Sequence, residues 1–434
     1  MGLLDGDIPS RLSWGQVRDA YEITKKPRSI DVGSYSHIPF AAMDSIPQGG
    51  RYAPAFTPKT PDALTSGTYF ERGDVLVAKI TPSFENGKQA LVKELPTPFG
   101  YATTEVVPLR AKSSGHDHRF LFYYLLHPDV RHYVAERMEG TTARQRVPED
   151  VFLNLPLPRF NDFDQAAIAN ACELIHKGIA LCDRYDVVLG RLKDASLQEI
   201  YTRGLRGESQ RESEIGPVPE SWDVIRLGSL GRIGNGSTPK KAVREYWDGG
   251  TFPWLTSAKV YDRHILAADA HVTPEALKKC HLPVLEPGAV LIAITGQGKT
   301  LGHCAVLGIQ ATINQHLAYL QPDLDEVNPK YITGFLETQY EYLRQIASGG
   351  GSTKGALTCG FLRELPIPMP PTREEQDEIA EVLEALDQKI ALHRHKRAVL
   401  EDLFKALLHK LMTNEISVGD LDLSALSELE EAVA

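Results

Sequence analysis

The chain is written twice. Residues 70–80, Phe-Glu-Arg-Gly-Asp-Val-Leu-Val-Ala-Lys-Ile, resemble residues 285–295, Leu-Glu-Pro-Gly-Ala-Val-Leu-Ile-Ala-Ile-Thr, with Gly73 in the place of Gly288. Residues 151–158 (Val-Phe-Leu-Asn-Leu-Pro-Leu-Pro) resemble 361–368 (Phe-Leu-Arg-Glu-Leu-Pro-Ile-Pro). From there the halves match at a fixed offset of 211: Gln165 with Gln376, Ile168 with Ile379, Glu173 with Glu384, Ile179 with Ile390. The openings correspond loosely, Ile8-Pro9 through Trp14 against Val218-Pro219 through Trp222. A repeat of this length means a duplicated domain, and 434 residues are too many for one ordinary core.

Each copy ends in a long helix. In the second copy Ile379, Leu383, Leu386, Ile390, His393, Arg397, Leu400, Phe404, Leu407 and Leu411 alternate steps of four and three, an a/d seam held over about 33 residues. The aligned positions of the first copy are Ile168, Cys172, Ile175, Ile179, Cys182, Asp186, Leu189, Lys193, Ser196 and Ile200. That seam is less regular, and Tyr185, Leu192 and Leu197 are expected to take over as the stripe drifts at 3.6 residues per turn. A helix of about 40 residues is roughly 60 Å long and needs a partner, which the other copy supplies. Antiparallel pairing about the midpoints would bring Asp186 near His393 and Arg397, polar seam positions of the kind that specify register.

The blocks before the helices are mixed. β-rich runs at 75–80, 290–294 and 317–320 lie between Gly/Pro/Asn turns. Helical stretches are expected at 119–138 and 329–347. The Leu-Pro-Leu-Pro and Leu-Pro-Ile-Pro entries stop helix before each long helix begins, because the residue before a proline avoids the α region. The expected fold class is therefore mixed α/β: two globular domains and two long helices forming an antiparallel coiled coil, with a pseudo-two-fold internal repeat. The expected boundaries are 1–160 and 214–370 for the globular domains, 161–213 and 371–413 for the helices, and 414–434 for an acidic tail.

The net charge of −10 would seem to exclude a nucleic-acid partner, since duplex DNA is densely anionic. Its distribution removes the objection. Residues 1–160 hold 19 Lys+Arg against 18 Asp+Glu, and 215–370 hold 14 of each; the acidity lies in the helices and in a tail with six acids and no base. Apolar runs such as 289–294 are too short to span a bilayer. No secretion signal is read at the N-terminus. Five cysteines without a CxxC pair suit reduced thiols in a cytoplasm.

Enzyme signals fail one after another. Residues 293–300, Ala-Ile-Thr-Gly-Gln-Gly-Lys-Thr, fit a relaxed phosphate-loop pattern. Such a loop needs a helix directly after it, whose N-terminal amides hold the phosphates; here 301–308 reads as another strand. His116-Asp-His118 and His393-Arg-His395 have no cysteine or carboxylate partners at metal-ligand spacing. No Gly-x-Ser-x-Gly elbow occurs. The Asn/Asp-Pro-Pro-aromatic motif of an adenine methyltransferase is absent. The Pro-Asp pairs at 61, 128 and 322 lack the following acid-x-Lys of a nuclease.

Block, proline-bounded entry and long helix, twice over, resemble the DNA specificity subunits of type I restriction–modification systems. Local motifs carry the likeness. Residues 216–228, Gly-Pro-Val-Pro-Glu-Ser-Trp-Asp-Val-Ile-Arg-Leu-Gly, look like that family's domain opening. Gly234-Asn-Gly-Ser-Thr-Pro239 with Tyr246-Trp247 and Phe252-Pro-Trp254 is similar to its next landmark. Asn314-Gln315-His316 resembles a recurring sheet-edge motif, and Gly349 to Lys354 the loop before the exit strand. Arg373-Glu-Glu-Gln376 opens the helix as in the family, and Leu411-Met412-Thr413 closes it. The first block lacks the Gly-Ser-Thr-Pro and Asn-Gln landmarks.

The resemblance implies two target recognition domains, each reading half of a bipartite site in double-stranded DNA, with the helix pair setting the spacing. Pseudo-symmetry of the chain then matches two inward-facing half-sites. It implies a chain that catalyses nothing and binds no cofactor. Two modification subunits would use S-adenosylmethionine to methylate adenine N6, and restriction subunits would use ATP and Mg2+. The expected DNA contacts are Lys79, Asn86 and Lys88 in the first domain and Gln297, Lys299 and Thr300 in the corresponding turn of the second. Arg144, Arg146, Lys240, Lys241 and Lys354 join them, on Gly/Ser/Thr-rich loops where basic side chains meet phosphate or guanine. Two other readings compete: a stand-alone duplicated DNA-binding regulator, and a coiled-coil scaffold with no DNA role.

Overall fold

A computed structural model describes residues 3–4, 13–49, 53–141, 144–296, 299–349 and 356–420. The chain divides into two compact units, one made of Met1–Asp186 and Leu392–Ala434, the other of Val187–Ala391. Each unit contains one globular block and half of each long helix. The first long helix is Asp162–Arg203 and the second Arg373–Met412.

In the first unit, a four-stranded sheet runs in the order Tyr21–Ile23, Val106–Ala111, Val75–Ala78, Gln89–Leu91. In the second, the order is Gly231–Asn235, Leu317–Pro322, Val290–Ala293, Cys304–Leu307, with His264–Ile265 added at the edge. The same strands thus occupy the same places in both copies. A second sheet in each unit is built on a parallel pair, Ile38–Ala41 with Phe99–Ala102 and Phe252–Leu255 with Thr312–Ile313. The proline-bounded entries are strands as well: Pro156–Pro158 pairs with Trp14–Gln16, and Pro366–Met369 with Asp223–Arg226.

The expected helix over 119–138 is two helices, His118–Tyr124 and Pro128–Ala135. Pro128 cannot donate into a continuing helix, so it starts a new one, and the His127 ring accepts from the Asp129 N–H at 3.2 Å as its cap. Residues 329–347 likewise divide into Pro329–Thr338 and Tyr340–Gly349.

The repeated glutamines acquire a physical role. Asp117 and Asn328 cap the helices that follow them, accepting from Arg119 N–H and Lys330 N–H at 2.8 Å each. Gln165 Oε1 in turn accepts from the Asp117 N–H at 3.2 Å, and Gln376 Oε1 from the Asn328 N–H at 2.9 Å. Each long helix therefore holds the start of its own domain's helical hairpin through one buried amide. A cap of this kind contributes about 1 kcal/mol.

The long helices pack antiparallel. In the first unit Ile168, Cys172, Ile175 and Ile179 share a buried cluster with Leu400, Phe404, Leu407 and Leu411. In the second, Leu197, Ile200 and Tyr201 share one with Ile379 and Leu383. Each step along one helix is matched by an equal step back along the other. His176 stacks on Phe404 at 4.3 Å, Asp183 meets Arg397 at 2.6 Å, Asp186 meets Arg394 at 2.6 Å, and Lys193 meets Asp387 at 2.8 Å.

Two seam expectations need correction. Asp186 pairs with Arg394 rather than with Arg397, which takes Asp183, while Tyr185 stacks on His393 at 4.4 Å. Leu197 is buried and Tyr185, partly exposed, lies against His393, but Leu192 faces outward. Lys193 keeps its place in the seam because two carboxylates neutralise it there, Glu337 at 2.7 Å and Asp387 at 2.8 Å. The five cysteines are free thiols. No described helix is long and apolar enough to cross a membrane.

Candidate nucleic-acid interface

In the second unit three loops meet at one polar cluster. The loop after strand Gly231–Asn235 passes so close to residues 313–314 that a Cβ on Gly236 would lie 1.9 Å from the Ile313 carbonyl oxygen. Only glycine fits there. Ser237 N–H donates to that same carbonyl at 3.1 Å. Thr238 can then donate its hydroxyl proton to Gln315 Oε1. Gln315 Nε2 lies 3.2 Å from His316 Nε2, and His316 Nδ1 contacts Thr295 Oγ1 from the third loop. Gln315 and His316 are both exposed.

Backbone bonds hold this tip rigid. Asn314 is buried; its N–H donates to the Leu255 carbonyl at 3.0 Å and its Oδ1 accepts from the His316 N–H at 3.0 Å. Leu317 N–H donates to the Asn314 carbonyl at 3.3 Å, and Ile294 N–H to the His316 carbonyl at 3.0 Å.

The first unit repeats this loop with other side chains. Thr103, Thr104 and Glu105 stand at the offset of 211 from Asn314, Gln315 and His316. Thr103 N–H donates to the Ala41 carbonyl at 3.0 Å, and its Oγ1 accepts from the Glu105 N–H at 3.5 Å. Val106 N–H donates to the Thr103 carbonyl at 3.2 Å, and Lys79 N–H to the Glu105 carbonyl at 2.9 Å. Four backbone N–H groups thus find equivalent partners in the two copies, around different tip residues. The first domain does carry the sheet-edge landmark that its letters hide.

Several expected contacts gather at this first tip. Arg146 grips Glu105 with two bonds, 2.8 and 2.6 Å, and this pairing holds the Glu105 carboxyl below its ordinary range. Arg144 is exposed on the same hairpin strand, and Val147 N–H joins that strand's end to the Lys79 carbonyl at 2.7 Å. Lys79 itself pairs with Glu149 at 3.2 Å. Asn86 is exposed on the turn between strands Val75–Ala78 and Gln89–Leu91. Lys88 is committed elsewhere, donating to the Met43 carbonyl at 2.8 Å with Asp44 at 3.7 Å.

In the second domain Lys240 and Lys241 are exposed on the loop that supplies Thr238. Lys299 is exposed, its carbonyl accepting from Tyr340 Oη at 2.7 Å, and Thr300 Oγ1 lies 3.0 Å from Tyr261 Oη. Gln297 and Lys354 lie outside the described residues. The turn of the phosphate-loop-like pattern leads into strand Cys304–Leu307, so no helix N-terminus is available to a nucleotide there.

Sequence reasoning missed Thr238, Thr295, Gln315 and His316, and with them Thr104 and Glu105. Separate motifs marked the three loops, residues 234–239, 293–300 and 314–316, but nothing in the sequence showed that they meet.

His127, Asp129 and His409 are placed within reach of one ion. Hydrogen bonding explains them without a metal. His127 Nδ1 accepts from the Asp129 N–H, and its Nε2 lies 3.2 Å from His409 Nδ1, so both ring nitrogens are occupied.

Residues 219–402 match the family model described as the type I restriction modification DNA specificity domain. The second half of the chain is thus similar to a type I specificity domain. It is 32% identical to the type I restriction enzyme MjaIX specificity subunit of Methanocaldococcus jannaschii, over 45% of this chain and 45% of that one. It is 24% identical to the putative MjaX specificity subunit of the same organism over 80% of this chain and 79% of that one. Among solved structures, the type I restriction–modification S subunit from M. genitalium shares the fold at a TM-score of 0.59 and 15% identity, covering 94% of this chain and 97% of that chain. A chain from a type I system studied for complex assembly and conformational transition follows, at a TM-score of 0.55 and 21% identity, covering 94% and 98%.

Proposed function

We propose that this chain is a type I specificity subunit that reads a split target in double-stranded DNA, one half through each domain, and positions catalytic subunits on it. The observation that carries the reading is the duplicated loop: two domains share one backbone frame and differ in the side chains at its tip. A scaffold would have no use for that pattern, whereas a reader of two different half-sites requires it. Phosphate contacts would come from Arg144, Lys240, Lys241 and Lys299, with Lys79, Asn86, Lys88, Arg146, Thr300, Gln297 and Lys354 as further candidates. Such contacts position the protein, and base edges specify the sequence. The paired helices set the unspecified spacer.

The chain supplies no chemistry of its own in this reading. Two modification subunits bring S-adenosylmethionine and methylate adenine; restriction subunits bring ATP-driven translocation and cleavage with Mg2+. Positive charge on those partners around the duplex would offset the net −10 of this chain. The test is long-read detection of methylated adenines in cells expressing the chain with its neighbouring methyltransferase, and in cells lacking it. A split motif that depends on the chain is the expected result. Its absence, with a soluble complex present, would favour a stand-alone regulator or a scaffold.

A further inference from the structure

The geometry points to Gln315 as a base-reading residue of the second domain, with an adenine as its base. This rests on the DNA-reading function proposed above and assigns a residue and a base to it.

The argument begins with what the Gln315 amide has left to give. A carboxamide has two N–H donors and two carbonyl lone pairs. Thr238 fills one lone pair, and His316 Nε2 takes one N–H at 3.2 Å. One donor and one acceptor remain on an exposed side chain. Adenine presents the complement in the major groove, N7 to accept and the N6 amino group to donate, and an amide reads both at once. Turning the amide over, so that its nitrogen donates to Thr238 and its oxygen accepts from His316 Nε2–H, leaves the same remainder, so the conclusion does not depend on which way the amide is set.

Preorganisation supports the assignment. The side chain is held at both ends of its amide, and its backbone is pinned through Asn314 to Leu255 and through His316 to Ile294. A reader fixed in this way loses little freedom on binding. The matching tip of the first domain carries Thr104, a lone hydroxyl, and Glu105, whose carboxylate is engaged by Arg146. The two domains therefore present different groups at the same place in the frame, and the adenine assignment belongs to the second half-site alone.

The experiment uses the full chain co-expressed with its modification partner, with host genomic DNA as the probe and long-read methylation as the readout. Wild type defines the split motif; if no motif appears, the DNA-reading function itself fails. Gln315→Ala is expected to relax one adenine in one half of the motif, lowering discrimination there by roughly fivefold to a hundredfold, and to leave the other half unchanged. Gln315→Glu keeps the shape and the bond from Thr238 but turns the free donor into an acceptor. It is expected to shift that position toward cytosine, whose N4 amino group a carboxylate accepts. An unchanged motif in both variants overturns the assignment, and so does a change confined to the other half. Uniform loss of methylation by chains that melt like wild type also overturns it, since that places Gln315 on phosphate. If Gln315→Ala melts lower, the near-isosteric Gln315→Glu decides alone.

Discussion

Replacing Lys193 by methionine removes a cation from a nearly closed site. The Lys193 side chain is 8% exposed and faces Glu337 at 2.7 Å and Asp387 at 2.8 Å, whose side chains are 22% and 27% exposed. Arg263 reaches both carboxylates as well, contacting Glu337 and lying 2.9 Å from Asp387. The four groups balance, two positive against two negative. Without Lys193, one guanidinium faces two carboxylates in a poorly solvated space. Removing one partner of a buried pair costs about 3–5 kcal/mol. Retention of Arg263 and the partial exposure of the acids reduce this to about 2 kcal/mol. Asp387→Leu in the same chain restores balance, leaving Glu337 with Arg263, and should recover most of the loss, because an apolar replacement of a buried pair is often neutral. The assay is urea unfolding of wild type, both singles and the double, followed by tryptophan fluorescence. Trp222, Trp247 and Trp254 all lie in the second unit and report on it. A double-mutant cycle should give a coupling of about 2 kcal/mol. A Lys193→Met chain within about 0.5 kcal/mol of wild type, or losses that simply add, would refute the reasoning.

Acid should weaken the first unit through His127. Burial holds its imidazole well below the ordinary histidine value of 6.5, His409 lowers it further, and Asp129 opposes both. The unfolded chain then binds more protons than the folded one below about pH 6.5, so this contribution is complete above that pH and fades as the pH falls toward the folded value; His127→Phe should flatten the slope of stability against pH in that window. Gly236→Ala drives a Cβ to 1.9 Å from the Ile313 carbonyl oxygen, so the loop carrying Thr238 must shift; we expect altered methylation specificity and a drop in melting temperature corresponding to about 1–3 kcal/mol, and an unchanged motif would count against the close packing of these loops. Inserting one heptad at matched points of both long helices preserves the seam and adds about 10 Å, so the methylated motif should keep both halves and gain roughly three base pairs of spacer; a motif with the original spacer would show that the helices do not set it.

Much of the fold was legible because duplication and periodicity are local in sequence. The seam through Leu400, Phe404 and Leu407, the strands beginning at Val75 and Val290, and the strand that follows the phosphate-loop-like turn all follow from neighbouring residues. The loop tips were not legible in the same way. Thr238, Thr295 and Gln315 come from three loops up to 77 positions apart, brought together by sheet order and by Gly236. Thr103-Thr104-Glu105 shares no letters with Asn314-Gln315-His316, because what is repeated is a set of backbone bonds.

The sequence by itself determined that there would be two mixed α/β domains and two long helices, since hydrophobic period, proline position and repetition express backbone constraints that act within a few residues. Tertiary structure decided which polar side chains became partners. Lys193 remains in the seam because Glu337 and Asp387 meet it there, and Arg146 reaches Glu105 because strand pairing brings residues 41 positions apart to one edge. Hydrogen bonds and ion pairs are short-ranged, so their energies depend on distances that only the folded chain sets.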